Sequence, residues 1–204
     1  MNKKNQLLIL ILIFVLLIGG ASVLYSRLST QMTPDRLAIQ ESEATQPTNA
    51  PEETLPTEAT EETRPQGIKA PDFTVYDLEG NEVHLSDYLG KPVILNFWAS
   101  WCGPCQMEMP DFQEKYLELG EEVQFLLVNM TDGGRETVAV ASKFIENAGY
   151  TFPVFYDTDG MAATVYGVYS IPSTYFIDAE GYAIARAPGA IDSQVLQQGI
   201  DLIS

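Results

Sequence analysis

Histidine occurs once in this chain and cysteine twice, and its 28 acidic residues outnumber 11 basic ones, leaving a formal charge of −17 over 204 residues. Each scarcity removes a class of function. A single histidine excludes a multi-histidine metal site, and two cysteines are too few for a cysteine-only zinc site or a disulfide-stapled scaffold. Nucleic acid is excluded as a partner because phosphate binding needs clustered Lys and Arg. What the chain does have is 46% hydrophobic and 10% aromatic residues. That is enough to build a core, so wholesale disorder is excluded too, and the length suits one ordinary domain with appendages.

The charge is unevenly spread, and the spread marks boundaries. Residues 1–28 carry +3, residues 29–68 carry −6 and residues 69–204 carry −14. The first region places Lys3 and Lys4 ahead of an unbroken apolar run from Leu7 to Ile18, which continues to Val23, Leu24 and Tyr25. A basic end before a long apolar run is the export pattern, so the body of the protein is expected outside the cytoplasm. The unbroken run is of signal-peptide length, but the 19 residues from Leu7 to Tyr25 approach the ~20 that span a bilayer. We expect an uncleaved anchor, because no small-x-small cleavage site stands out and a long tether follows. No cysteine lies near the run, which excludes a lipoprotein. Residues 29–68 are biased toward Thr, Glu, Pro and Ala; such a stretch buries too little apolar surface to offset its ordering entropy and reads as a disordered spacer.

From Lys69 the composition turns globular. Phe73–Tyr76 and Glu82–Leu85 read as a hairpin turning through Glu79-Gly80-Asn81. Val93–Trp98 and Val123–Met130 are nearly continuous apolar runs, the pattern of strands buried on both faces. Further strands are expected over Phe152–Tyr156, Thr174–Asp178 and Tyr182–Ala187. Helices are expected over Cys102–Leu119, Arg135–Ala148 and Met161–Tyr166, with a last one capped by Asp192. This alternation predicts one α/β domain with a sheet parallel at its centre and antiparallel at its edge.

Cys102-Gly103-Pro104-Cys105 falls where a buried strand gives way to a helix. Unpaired N–H groups and the partial positive charge of a helix N-terminus stabilise a thiolate, so Cys102 is expected to have a lowered pKa and to act as nucleophile. Cys105, about one turn on, is placed to attack the mixed disulfide. Pro104 suits a first helical turn, where its missing N–H would be unpaired anyway. Two other uses stay open at this point: a structural disulfide, though its short loop would constrain the unfolded chain little, and a Cu(I) site helped by Met107 and Met109.

The segment NFWASWCGPCQMEMP resembles the active-site stretch of the thioredoxin superfamily and, in detail, of the membrane-anchored TlpA/ResA-like thiol-disulfide oxidoreductases. The resemblance spans roughly residues 69–204. It takes in the APDF start, the hairpin before the active-site strand, the insertion carrying Arg135–Ala148, FPVFYD, and GVYSIPSTYFID. It implies a thioredoxin-like fold, a central mixed sheet flanked by helices, with an N-terminal hairpin and a TlpA-type insertion. It also implies that Cys102 is the exposed attacking cysteine and Cys105 the resolving one. Pro172 would be the cis-proline facing them, with Ile171 offering backbone hydrogen bonds to a substrate segment; Trp101, Gly103 and Pro104 complete the substrate-contacting set. Pro110 matches the proline that kinks the first helix. Glu108 falls where this branch has an active-site glutamate that accepts a proton from Cys105. Asn96 stands where thioredoxins carry a buried aspartate, which makes Glu108 the expected proton carrier. His84 has no partner in the sequence and is read as an ordinary residue.

The function this implies is an extracytoplasmic, membrane-anchored reductase passing electrons from the dithiol to disulfides of exported proteins such as apocytochrome c or methionine sulfoxide reductase. It would need no cofactor beyond its own cysteines and would be recharged by a transmembrane donor of the CcdA or DsbD kind. Two other functions fit the sequence less well. A peroxiredoxin-like peroxidase would place Pro and Thr at fixed positions before its cysteine, whereas Ala99 and the stretch from Val93 hold neither. A Cu(I) chaperone of this superfamily would use a wider CxxxC pair and a distal histidine, and no histidine follows His84. The −14 charge of residues 69–204 leads us to expect a client with a basic or neutral docking face.

Overall fold

The computed structural model describes residues 38–39 and 67–204; the apolar run Leu7–Tyr25 and most of the acidic spacer lie outside them. One sheet of nine strands organises the described chain. Its centre is β5 (Val93–Trp98), parallel to β6 (Gln124–Asn129) on one side and antiparallel to β8 (Ser173–Ile177) on the other. β7 (Val154–Tyr156) extends the parallel side, and the hairpin β3 (Thr74–Tyr76) and β4 (Glu82–His84) closes it through the Tyr76–Tyr156 pairing. Beyond β8 lies β9 (Tyr182–Pro188), whose outer edge receives β1 (Ala38–Ile39) and β2 (Ile68–Lys69). The fold is thioredoxin-like, and the hairpin and the helix order are as the sequence predicts.

Every residue of β5 is buried, because both faces of the sheet are covered. Side chains alternate along a strand, so Ile94 and Trp98 join the core on the face of α1 (Gly103–Leu119), α2 (Val138–Ala148) and α4 (Ser193–Ile203). Val93, Leu95 and Phe97 join the opposite core with Phe73, Val75 and α3 (Met161–Val165). Asn96 shares the α1 face, and it is the polar interruption that matters for the site. α4 is capped by Asp192, whose carboxylate accepts the Val195 N–H. It packs so closely on β8 that a Cβ at Gly199 would come within 2.1 Å of the Phe176 ring.

Most element boundaries fall within a residue of the sequence expectation, and the larger departures have local causes. α2 begins at Val138 rather than Arg135, because Thr137 caps it by accepting the Val140 N–H while Asp132 draws the N–H groups of Gly134 and Glu136 into a separate turn. β7 begins at Val154, after Pro153, since proline cannot donate to a ladder. β2 takes in Ile68, one residue before the expected globular start, and two residues of the acidic segment, Ala38 and Ile39, pair with Arg186 and Ala185. Among the described residues no helix is long and apolar enough to cross a membrane.

Candidate active site

Cys102 is the residue at which β5's exit loop becomes α1. It is the N-cap of that helix, and its Sγ accepts the Cys105 N–H at 3.2 Å. The orphan donor of the first turn therefore points at the sulfur, which is the arrangement that stabilises a thiolate once the bond to Cys105 is reduced. In this structure the two sulfurs form a disulfide. The resemblance implied an exposed Cys102, but it is only 5% exposed, because Trp98, Ala99 and the turn carrying Ile171 crowd it; Cys105 is 0% exposed. The difference between them still gives an order of access, since an incoming sulfur can reach only Cys102. Gly103 and Pro104 are exposed beside it.

Across from the sulfur pair, the Ile171–Pro172 peptide bond is cis and the Ile171 carbonyl oxygen lies 3.7 Å from Cys102 Sγ. Ile171 is half-buried and Pro172 buried. Trp101 stands at the rim, 44% exposed.

Glu108 follows Cys105 by three residues in α1, so both lie on the same helical face. The carboxyl group is buried at 2% exposure. One oxygen accepts the Asn96 amide at 2.9 Å and the other accepts the Ile191 N–H at 3.0 Å. Burial outweighs these two donors and pushes its pKa from 4.5 up to about 7, with Asp111 adding a small upward push. A carboxyl poised near neutrality both takes and returns a proton efficiently. Asn96 also donates to Thr174 Oγ1 at 3.0 Å. An aspartate in its place would set a second negative charge against Glu108.

A further acid went unnoticed in the sequence. Glu136 is 0% exposed and turns its carboxylate onto the loop before Cys102. It accepts the Ser100 N–H at 2.7 Å, the Ser100 hydroxyl at 2.6 Å and the Asn129 amide at 2.7 Å. The Ser100 carbonyl accepts from Gln106 in α1, so all the polar groups of Ser100 are held. The neighbouring Arg135 lies over the Trp101 ring, 4.4 Å from its centroid. One sequence signal was available: an acid directly before a helix-capping threonine, in a segment otherwise exposed.

The remaining candidates fall away from the site. His84 is half-buried, with Nδ1 3.1 Å from Thr74 Oγ1. Met107 is 71% exposed while Met109 is buried in the core, so the two thioethers lie on different sides of α1. Among the described residues no three His, Cys, Asp or Glu side chains gather as a metal site. Pro110 sits inside α1 and leaves the Gln106 carbonyl without its usual helical donor.

The AhpC/TSA family model matches residues 66–185. The thiol-disulfide oxidoreductase ResA of Geobacillus thermodenitrificans (strain NG80-2) is 39% identical over 138 residues, which is 67% of this chain and 77% of that protein. The chain belongs to the ResA-like thiol-disulfide oxidoreductases. Solved structures agree with the ResA-like fold. A putative thiol:disulfide interchange protein DsbE from Chlorobium tepidum superposes with a TM-score of 0.61 at 33% identity, covering 68% of this chain and 98% of that one. The pneumococcal exposed lipoprotein thioredoxin Etrx1 of Streptococcus pneumoniae strain TIGR4 gives 0.57 at 34% identity, covering 64% and 99%.

Proposed function

We propose that this ResA-like enzyme is a membrane-anchored, extracytoplasmic reductase of protein disulfides, with residues 1–28 as anchor, 29–68 as spacer and 69–204 as the catalytic domain. The observation that carries the reading is the pairing of a reachable sulfur, Cys102 at a helix N-terminus, with an unreachable one, Cys105, one turn from a carboxyl group poised near pH 7. The reduced Cys102 thiolate attacks a client disulfide, forming a mixed disulfide and expelling one client thiolate, which takes up a proton. Glu108 accepts the Cys105 proton, and the resulting thiolate attacks Cys102 Sγ. The Cys102–Cys105 disulfide forms and the second client thiol leaves. Two electrons thus pass to the client, and a transmembrane donor of the CcdA or DsbD type restores the dithiol. Trp101, Gly103, Pro104 and Ile171 form the surface against which the client segment lies, with the buried Pro172 fixing the turn that presents Ile171.

The lysine-flanked apolar run supports placement outside the cytoplasm, and the likeness to an exposed lipoprotein thioredoxin agrees with it. Family resemblance supports apocytochrome c or another exported disulfide protein as client. The reading is tested by replacing Cys105 with Ser in the native host. Without the resolving thiol, the client is expected to remain linked to Cys102, and mass spectrometry of the non-reduced complexes identifies it. If the variant accumulates no mixed disulfide with an exported protein, the reading fails.

A further inference from the structure

The acidity of the catalytic domain has a local exception at the CxxC rim. Residues 69–204 contain six basic side chains, Lys69, Lys91, Lys115, Arg135, Lys143 and Arg186, among twenty acidic ones. Lys69 donates to the Glu180 carbonyl, Lys91 to the Glu121 carbonyl and Lys115 to Glu118, while Arg186 lies over Tyr175. Arg135 differs from all of these, because its guanidinium rests on Trp101, the residue before the nucleophile. It is exposed. Asp132, whose Oδ1 accepts the N–H groups of Gly134 and Glu136, lies near enough to feel the charge of Arg135.

The placement is built rather than incidental. Glu136, fully buried, ties its own loop to Ser100 through the backbone N–H and the hydroxyl, so two consecutive residues of one loop meet two consecutive residues of the other. Glu136 anchors Ser100, and Arg135 is thereby set over Trp101. A guanidinium lying over an indole ring still has N–H donors to offer a carboxylate, in a fork that suits it. Trp101 directly precedes Cys102 and is exposed, so a client segment whose half-cystine reaches the sulfur comes close to Arg135.

We propose that Arg135 is a specificity-determining residue of this oxidoreductase, selecting client segments that carry a carboxylate beside the half-cystine attacked by Cys102. This rests on the reductase reading above and narrows its substrate class. The negative field of the rest of the domain does not cancel the effect. At physiological ionic strength charges beyond ~8 Å are largely screened, whereas the contact with Arg135 is direct. A client basic or neutral in outline and acidic next to its disulfide satisfies both fields.

The test uses the full chain, reduced with dithiothreitol, and two fluorogenic peptide disulfides identical except for Glu or Lys flanking the half-cystine. Each rate is divided by that of the same peptide with free dithiothreitol, which removes the peptide's intrinsic reactivity. The normalised Glu/Lys ratio is expected to be roughly two- to fivefold, the size of one exposed ion pair, and to decline with added salt. Arg135→Gln should bring the ratio to one or below; Arg135→Lys, which keeps the charge but not the guanidinium fork, should fall between. A ratio identical in wild type and Arg135→Gln overturns the proposal. If the wild type reduces neither peptide, the reductase reading itself fails, so the two failures are distinguishable.

Discussion

Asn96 on the strand before the CxxC donates its side-chain amide to Glu108 on the helix after it, at 2.9 Å and out of contact with water. This bond joins the two elements that position the sulfurs and sets a neutral partner against the acid that titrates between them.

Glu108 makes stability depend on pH in a direction opposite to most carboxyl groups. Its pKa rises from 4.5 to about 7 on folding, so between those values the native state holds a proton that the unfolded chain has released. Its contribution is therefore fully present below pH 4.5 and is lost as pH rises through 7. The whole span is worth about 3 kcal/mol. Urea midpoints at pH 5 and pH 8 for the wild type and Glu108→Gln should differ in slope by that order, with the variant relatively more stable at the higher pH. The same variant should slow resolution of the mixed disulfide, read by stopped-flow with a trapped client peptide. Equal pH slopes would show that Glu108 does not titrate in this range.

Removing the partner should move the acid further. Asn96→Ala takes away a donor that holds the Glu108 pKa down, so the Glu108 limb of the pH–rate profile should shift to more alkaline pH. The lost buried hydrogen bonds should cost about 1–3 kcal/mol. A profile that shifts toward acid would contradict the bonding described.

Glu136 should prove structural in size and local in effect. Glu136→Ala strands the Ser100 N–H, the Ser100 hydroxyl and the Asn129 amide without their acceptor, a loss expected to reach about 3 kcal/mol or more. Glu136→Gln keeps one acceptor oxygen and should lose about 1–2 kcal/mol. Chemical denaturation of the two variants checks the ranking.

Gly199→Ala probes the seam between α4 and β8. The added methyl would sit 2.1 Å from a ring atom of Phe176, which is itself fully buried and has no room to turn. Overpacking of this kind costs about 1–3 kcal/mol. A thermal midpoint unchanged from wild type would mean that the helix can slide away.

Much of this molecule could be read from its residues because the informative signals were local. The CxxC at a strand-to-helix junction, the cap at Asp192 and the nearly continuous apolar run of β5 each follow from a few adjacent side chains, and the resemblance supplied Pro172 and Glu108. The parts that were missed depend on contacts between distant segments. Arg135 and Glu136 look like the start of a helix until Ser100, thirty-odd residues earlier, claims the carboxylate. The burial of Cys102 comes from the turn at Ile171, far along the chain. The pairing of Ala38 and Ile39 with β9 has no periodicity that two residues could display.

The complete burial of Cys105 has a kinetic meaning. Once a client is linked to Cys102, no second client can reach the enzyme's other sulfur. Release is then a first-order event, independent of how much client is present. The linked complex lasts as long as the internal attack takes, and the effective concentration of Cys105 at the mixed disulfide is fixed by one turn of helix rather than by diffusion.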